Sequence, residues 1–145
     1  MLRLEILLML SSLAVFAVVL MIITRRMKQR RASRFTNRPT QTPKELFDEI
    51  RPQTLSEDQV WRIVSLVGEE TDVPADKLQL SDRFLHELLP EKGWEWDNGL
   101  WVISQIMSRE FGGTLSDYDF DKCPTLRDLI RAVDANLTQR RIAGS

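Results

Sequence analysis

The sequence predicts an all-α protein, one N-terminal transmembrane helix followed by a small helical domain, and three observations point there. Residues 6–23 are apolar apart from Ser11 and Ser12. Helix-starting patterns stand at Thr42, Ser56 and Thr125, each just ahead of apolar residues at helical spacing. No stretch alternates apolar and polar residues as a half-buried strand does, and no internal repeat competes with a helical reading.

The apolar run, with Leu4 and Thr24 included, reaches about 20 residues, or roughly 30 Å of helix, which matches the hydrocarbon thickness of a bilayer. A cleaved signal peptide carries its positive charge before the apolar run and small residues after it. Here Thr24 leads directly into Arg25, Arg26, Lys28, Arg30 and Arg31. These five are the expected membrane-interface residues. With Arg3 on the other side, they predict a single-pass protein whose C-terminal domain is cytoplasmic. The expected organisation is a transmembrane helix over 1–24, a basic juxtamembrane linker over 25–41, a helical domain over 42–138 and a flexible tail over 139–145.

Charge is divided as sharply as hydropathy. Residues 1–42 hold eight Lys/Arg and one acid, whereas residues 43–145 hold twelve Lys/Arg and twenty acids, giving +7 and −8. An acidic domain disfavours nucleic acid, because phosphate binding needs clustered positive charge on the folded surface. One cysteine, Cys123, and one histidine, His86, allow no internal disulfide and no zinc-ligand cluster. No cofactor and no metal is expected.

Residues 28–41 lack apolar periodicity and read as a mobile tether. Thr42-Pro43-Lys44-Glu45 then starts a short helix to about residue 50, with a threonine cap, a proline in the first turn and a glutamate three residues after the cap. Ser56 to Gln59 repeats the capping pattern, and Val60, Ile63, Val64 and Val67 follow at helical spacing until Asp72 and Pro74. Leu78, Leu80, Phe84, Leu85, Leu88 and Leu89 lie without clean period before Pro90 and Gly93, which predicts a long loop anchored to the core. From about residue 97 to 111, Leu100, Ile103 and Met107 mark an amphipathic helix closed by Gly112-Gly113. An acidic connector over 116–122 precedes a last helix from Thr125, with Leu126, Leu129, Ile130, Val133 and Leu137 as its apolar side.

Over residues 57–137 the succession of long helix, Asp72-Val73-Pro74, anchored loop with Phe84, helix ending Arg109-Glu110-Phe111, acidic connector and Pro124-Thr125-Leu126 resembles the acyl carrier protein family. The resemblance implies a four-helix bundle. It also places Asp97, in Trp96-Asp97-Asn98-Gly99-Leu100, at the position where carriers have the serine that receives phosphopantetheine. A carboxylate has no hydroxyl for that phosphodiester. With the long loop over 90–96, the chain is similar to an uncharacterised, serine-less group of enterobacterial carrier-like proteins, which implies a bacterial inner membrane as the location.

The candidate partner-binding residues cluster at that position: Trp94, Glu95, Trp96, Asp97, Trp101 and Glu110. Aromatic residues are enriched in binding hot spots, and the acids, with Glu91, suit a protein partner with a basic surface. Packing of the tryptophans onto the core and plain solvation of the acids are the alternatives. Asp117, Asp119, Asp121 and Asp128 imitate a calcium loop, but Lys122 stands where glycine is needed and Pro124 interrupts it. His86, Ser104 and Ser108 belong to no catalytic pattern, and Cys123 reads as a small apolar filler. The expected function is therefore a membrane-anchored, non-enzymatic interaction or regulatory module. The alternative is a working carrier of acyl or lipid chemistry, modified at another serine such as Ser104.

Overall fold

A computed structural model describes the backbone of residues 2–88 and 99–144, and the side chains of residue 9, residues 11–88 and residues 101–144. In chain order the helices are α1 (Leu2–Phe35), α2 (Pro43–Ile50), α3 (Glu57–Thr71), α4 (Gly99–Phe111) and α5 (Leu126–Ala143), with 3-10 turns at Ala75–Lys77 and Leu115–Tyr118. The chain divides into two compact units, Met1–Asn37 and Arg38–Ser145.

The first unit is α1. Among the described residues no helix is long and apolar enough to cross a membrane. This corrects the expected transmembrane helix, and with it the single-pass inner-membrane location and its cytoplasmic domain. The apolar side chains described in α1 beyond Met9 run from Leu13 to Ile23, about 16 Å of helix. Eighteen residues counted from Ser11 already include Arg25, Arg26 and Lys28. Nor is the basic stretch an irregular tether, since α1 continues to Phe35. Lys28, Gln29, Arg30, Arg31 and Ala32 are all good helix formers, so intrinsic propensity extends the helix where apolar periodicity has stopped.

The second unit begins with residues 38–41, which are hydrogen-bonded to the rest of that unit. Arg38 places Nη1 2.6 and 2.7 Å from the two carboxylate oxygens of Asp82. Lys77 Nζ donates to the Arg38 carbonyl and to Thr40 Oγ1, and the Gln41 N–H donates to the Asp76 carbonyl at 2.8 Å.

Local sequence sets the helix ends. Thr42 and Glu45, Ser56 and Gln59, and Thr125 and Asp128 each form a reciprocal capping box at the starts of α2, α3 and α5. Each box satisfies two N–H groups that helix geometry leaves unpaired. The boxes are thus start signals written in four consecutive residues. α2 and α3 close on left-handed Arg51 and Asp72, and α4 closes on Gly112 and Gly113 at φ 79° and 92°. α5 runs six residues past Leu137, through the segment expected to fray.

Helix α3 is the centre of the bundle and packs against α2, α4 and α5. Its buried residues Val60, Ile63, Val64 and Val67 are those the helical spacing selects, and Leu46, Ile50, Ile103, Met107, Leu126, Leu129, Ile130 and Val133 meet them from the other helices. Each such side chain stabilises the fold by about 1.5–3 kcal/mol on leaving water, so this apolar set is the main force holding the bundle. The anchored loop behaves as its composition predicts: Leu78, Leu80, Phe84 and Leu88 are buried, and Leu85 is exposed. Leu89 lies outside the described residues. Loop and α5 entry are joined by an isolated bridge between Arg83 and Thr125, in which Phe84 N–H donates to Pro124 and Leu126 N–H to Asp82, both at 3.0 Å.

Candidate protein-interaction site

The expected interaction site centres on the start of α4. Trp94, Glu95, Trp96 and Asp97, with the whole loop over 90–96, lie outside the described residues. Trp101, in the first turn of α4, is 55% exposed. At about 100° per residue it stands roughly 200° round the helix from Ile103, so the same periodicity that buries Ile103 and Met107 turns Trp101 outward.

At the far end of α4, Glu110 is engaged by Arg62 of α3, with N···O distances of 3.1 and 3.4 Å. The carboxylate raises the already high pKa of Arg62 further, by hydrogen bond and by charge. Glu110 thus contributes less negative potential to α4 than its sequence position suggests, because a cation sits beside it. An ion pair this exposed is worth little stability.

The serines of α4 point into the fold. Ser104 is 5% exposed, and its Oγ donates to the Tyr118 carbonyl at 2.9 Å. Ser108 Oγ donates to the Gly113 carbonyl at 2.8 Å. Tyr118 is itself buried, donating its hydroxyl to the Gly112 carbonyl and accepting from Asn136 Nδ2 at 3.1 Å, and burial raises its pKa. The two glycines make this arrangement possible. A Cβ on Gly113 would come within 3.0 Å of the Tyr118 hydroxyl, and one on Gly112 would strike the Arg140 guanidinium.

The remaining candidates are structural in their surroundings. Cys123 is buried, and desolvation lifts its thiol pKa, the opposite of what a reactive thiolate needs. His86 is exposed. Asp117 caps the 3-10 turn by accepting from Thr114 N–H and Oγ1, contacts that hold its pKa below the usual carboxylate range. Asp128 is occupied in the capping box of α5, and Asp119 accepts from the Asp121 N–H. Asp117, Asp119 and Asp128 of the calcium-like pattern are thus engaged by local donors. Arg25, Arg26, Lys28, Arg30 and Arg31 lie along the last third of α1.

No family model, curated protein or solved structure matches this chain. The carrier resemblance accordingly rests on the chain's own helix order and punctuation.

Three residues that organise the second unit are not evident in the sequence. Asp82 is a buried carboxylate, 3% exposed, bound by Arg38 and by the Gln79 N–H. Asp134 accepts from the N–H groups of Gln53, Thr54 and Leu55 at 2.8, 2.8 and 3.0 Å, and so ties the α2–α3 connection to α5. Tyr118 is the hub described above. The single signal for it is its chemistry: it is the one tyrosine of the chain, set in an otherwise acidic connector.

Proposed function

We propose that the unit Arg38–Ser145 is a serine-less, carrier-like helical module that acts by binding a protein partner rather than by catalysis or by carrying an acyl arm. The observation that carries the reading is the division of roles on α4: Ser104 and Ser108 are hydrogen-bonded into the fold, while Trp101 on the same helix is open to solvent. An aromatic ring held on a packed helix offers a large apolar contact at little entropic cost. The succession of α3, anchored loop, α4, 3-10 turn and α5 supports the carrier likeness, and Asp97 stands two residues before Gly99, the first residue of α4.

Attachment of phosphopantetheine at Ser104 would require breaking its bond to Tyr118 and lifting a buried hydroxyl to the surface. The buried thiol of Cys123, with its raised pKa, offers no nucleophile in compensation. The partner is expected to present a basic, partly apolar surface, since the domain is acidic in sum.

The test is a crosslinked pull-down of the full chain from its own cells, with intact mass of the bait after co-expression with a phosphopantetheinyl transferase. The expected result is an unmodified bait and a specific partner whose recovery falls at least five-fold with Trp101→Ala, in line with the cost of truncating an aromatic hot spot. A bait heavier by a phosphopantetheine arm would overturn the reading. So would recovery that Trp101→Ala leaves unchanged.

A further inference from the structure

We infer that α1 docks the chain onto a lipid surface carrying anionic headgroups. The helix exposes apolar side chains at successive positions, among them Leu13, Val15, Phe16, Val18, Leu20 and Ile22. Leu13, Phe16 and Leu20 follow one line along the helix and Val15, Val18 and Ile22 another, so over the described residues 13–23 the apolar surface goes round the helix with no polar face. Within one turn of Thr24 the character reverses. Arg25, Arg26, Lys28, Arg30 and Arg34 are exposed and Arg31 is half-buried. Apolar and basic surface are therefore separated along the axis of the helix, not across it.

That direction of separation selects the partner. A protein groove reads one side of a helix and leaves the other to water, which calls for an apolar stripe and a polar back. A second copy of α1 lying parallel would set the basic turns side by side, and an antiparallel one would lay them on apolar surface. A lipid layer changes with depth, from hydrocarbon to anionic headgroup to water, and α1 changes in the same order along its length. The described apolar stretch, Leu13 to Ile23, is about 16 Å long and matches one leaflet of roughly 15 Å, half the bilayer core. It is enough for entry into a lipid layer, and docking asks for nothing further. Each basic side chain at an anionic surface strengthens association by about five-fold.

The test is flotation of the full chain, made by cell-free synthesis, with vesicles of phosphatidylcholine alone or of phosphatidylcholine with phosphatidylglycerol. Flotation separates bound chain from aggregate, because vesicles rise and aggregates sink. The chain is expected to float with the mixed vesicles and to lose at least ten-fold in association when Arg25, Arg26 and Arg30 are all changed to Glu. Phe16→Asp with Leu20→Asp is expected to abolish flotation. Near-ultraviolet circular dichroism of each variant reports whether the second unit remains folded. Failure of the parent chain to float, equal flotation of the charge-reversed chain on mixed vesicles, or a soluble oligomer that ignores vesicles would each overturn the inference.

Discussion

Gly68 lies in the body of α3, where alanine is ordinarily the better helix former by about 1 kcal/mol. At this position the sign is reversed. A Cβ would stand 2.6 Å from the Val73 carbonyl oxygen, because the chain leaving α3 turns on left-handed Asp72 and crosses back over the helix. Backbone cannot rotate aside as a side chain can, so Gly68→Ala is expected to destabilise the second unit by about 1–3 kcal/mol, the usual range for overpacking. Equal or greater stability in chemical denaturation would show that the Asp72-Val73 turn yields freely. Asp134 is the converse case, a side chain defined by what it accepts. Three N–H groups on residues 53–55 converge on one carboxylate, and Asp134→Ala would leave all three to water or to nothing. A loss of about 2 kcal/mol is expected, below the sum of three buried bonds because the site is half open to solvent. Amide exchange at Gln53, Thr54 and Leu55 should accelerate in that variant, and unchanged protection would show that the connection is held by the packing of Leu55 and the Thr54–Thr138 hydrogen bond instead.

At the scale of the element, the helices differ in how far local sequence decides them. Thr42, Ser56 and Thr125 announce α2, α3 and α5 because a capping box needs residues only three apart. The apolar positions inside those helices are equally legible, since burial follows helical period. Packing of the tryptophans onto the core is an equally available reading of the sequence, so Trp101, though off the stripe of Ile103 and Met107, is legible only in part. The course of α1 past Thr24 is not: the absence of apolar period there marks a solvated helix as readily as a loop, and the propensities of Lys28 to Ala32 decide between them. The roles of Asp82, Asp134 and Tyr118 are illegible for a different reason. Their partners lie 44, about 80 and 18 residues away, and no local pattern records such a distance. The capping carboxylates also carry a pH signature. Thr42 lowers the pKa of Glu45, and Thr114 that of Asp117, by donating N–H and hydroxyl hydrogens to the ionised form. A carboxylate whose pKa is lower in the folded state than in the unfolded one adds stability above its unfolded pKa, and that stability is lost as pH falls through the folded value. Thermal melts should therefore show Tm level near neutrality and falling below about pH 4, where unperturbed carboxylates titrate. Changing Glu45 to Gln and Asp117 to Asn together should flatten part of that fall. An unchanged acid slope in the double variant would assign it to other carboxylates.

The whole molecule is built from two units whose composition, charge and packing differ, and their junction falls between Asn37 and Arg38. The described residues of the second unit form an apolar core of its own from α2 to α5, so a fragment of residues 38–145 is expected to unfold cooperatively without the first unit. Where that fragment must begin is a sharper question. Arg38 neutralises Asp82, a carboxylate that the fold has almost wholly removed from water, and Asp82 in turn fixes the loop that meets the entry to α5. Starting instead at Thr42 keeps the capping box of α2 but strands that carboxylate. A fragment of residues 42–145 is expected to be less stable than 38–145 by on the order of 2 kcal/mol, several degrees in Tm for a unit of this size. Asp82→Asn separates the charge from the other contacts of residues 38–41, because the amide still accepts from Gln79 and needs no counter-ion. In that background, removal of residues 38–41 should cost distinctly less than in the parent. The remainder measures the bonds from Lys77 to Arg38 and Thr40 and from Gln41 to Asp76. An equal loss in both backgrounds would refute the ion pair as the link and leave those hydrogen bonds as what holds the start of the domain.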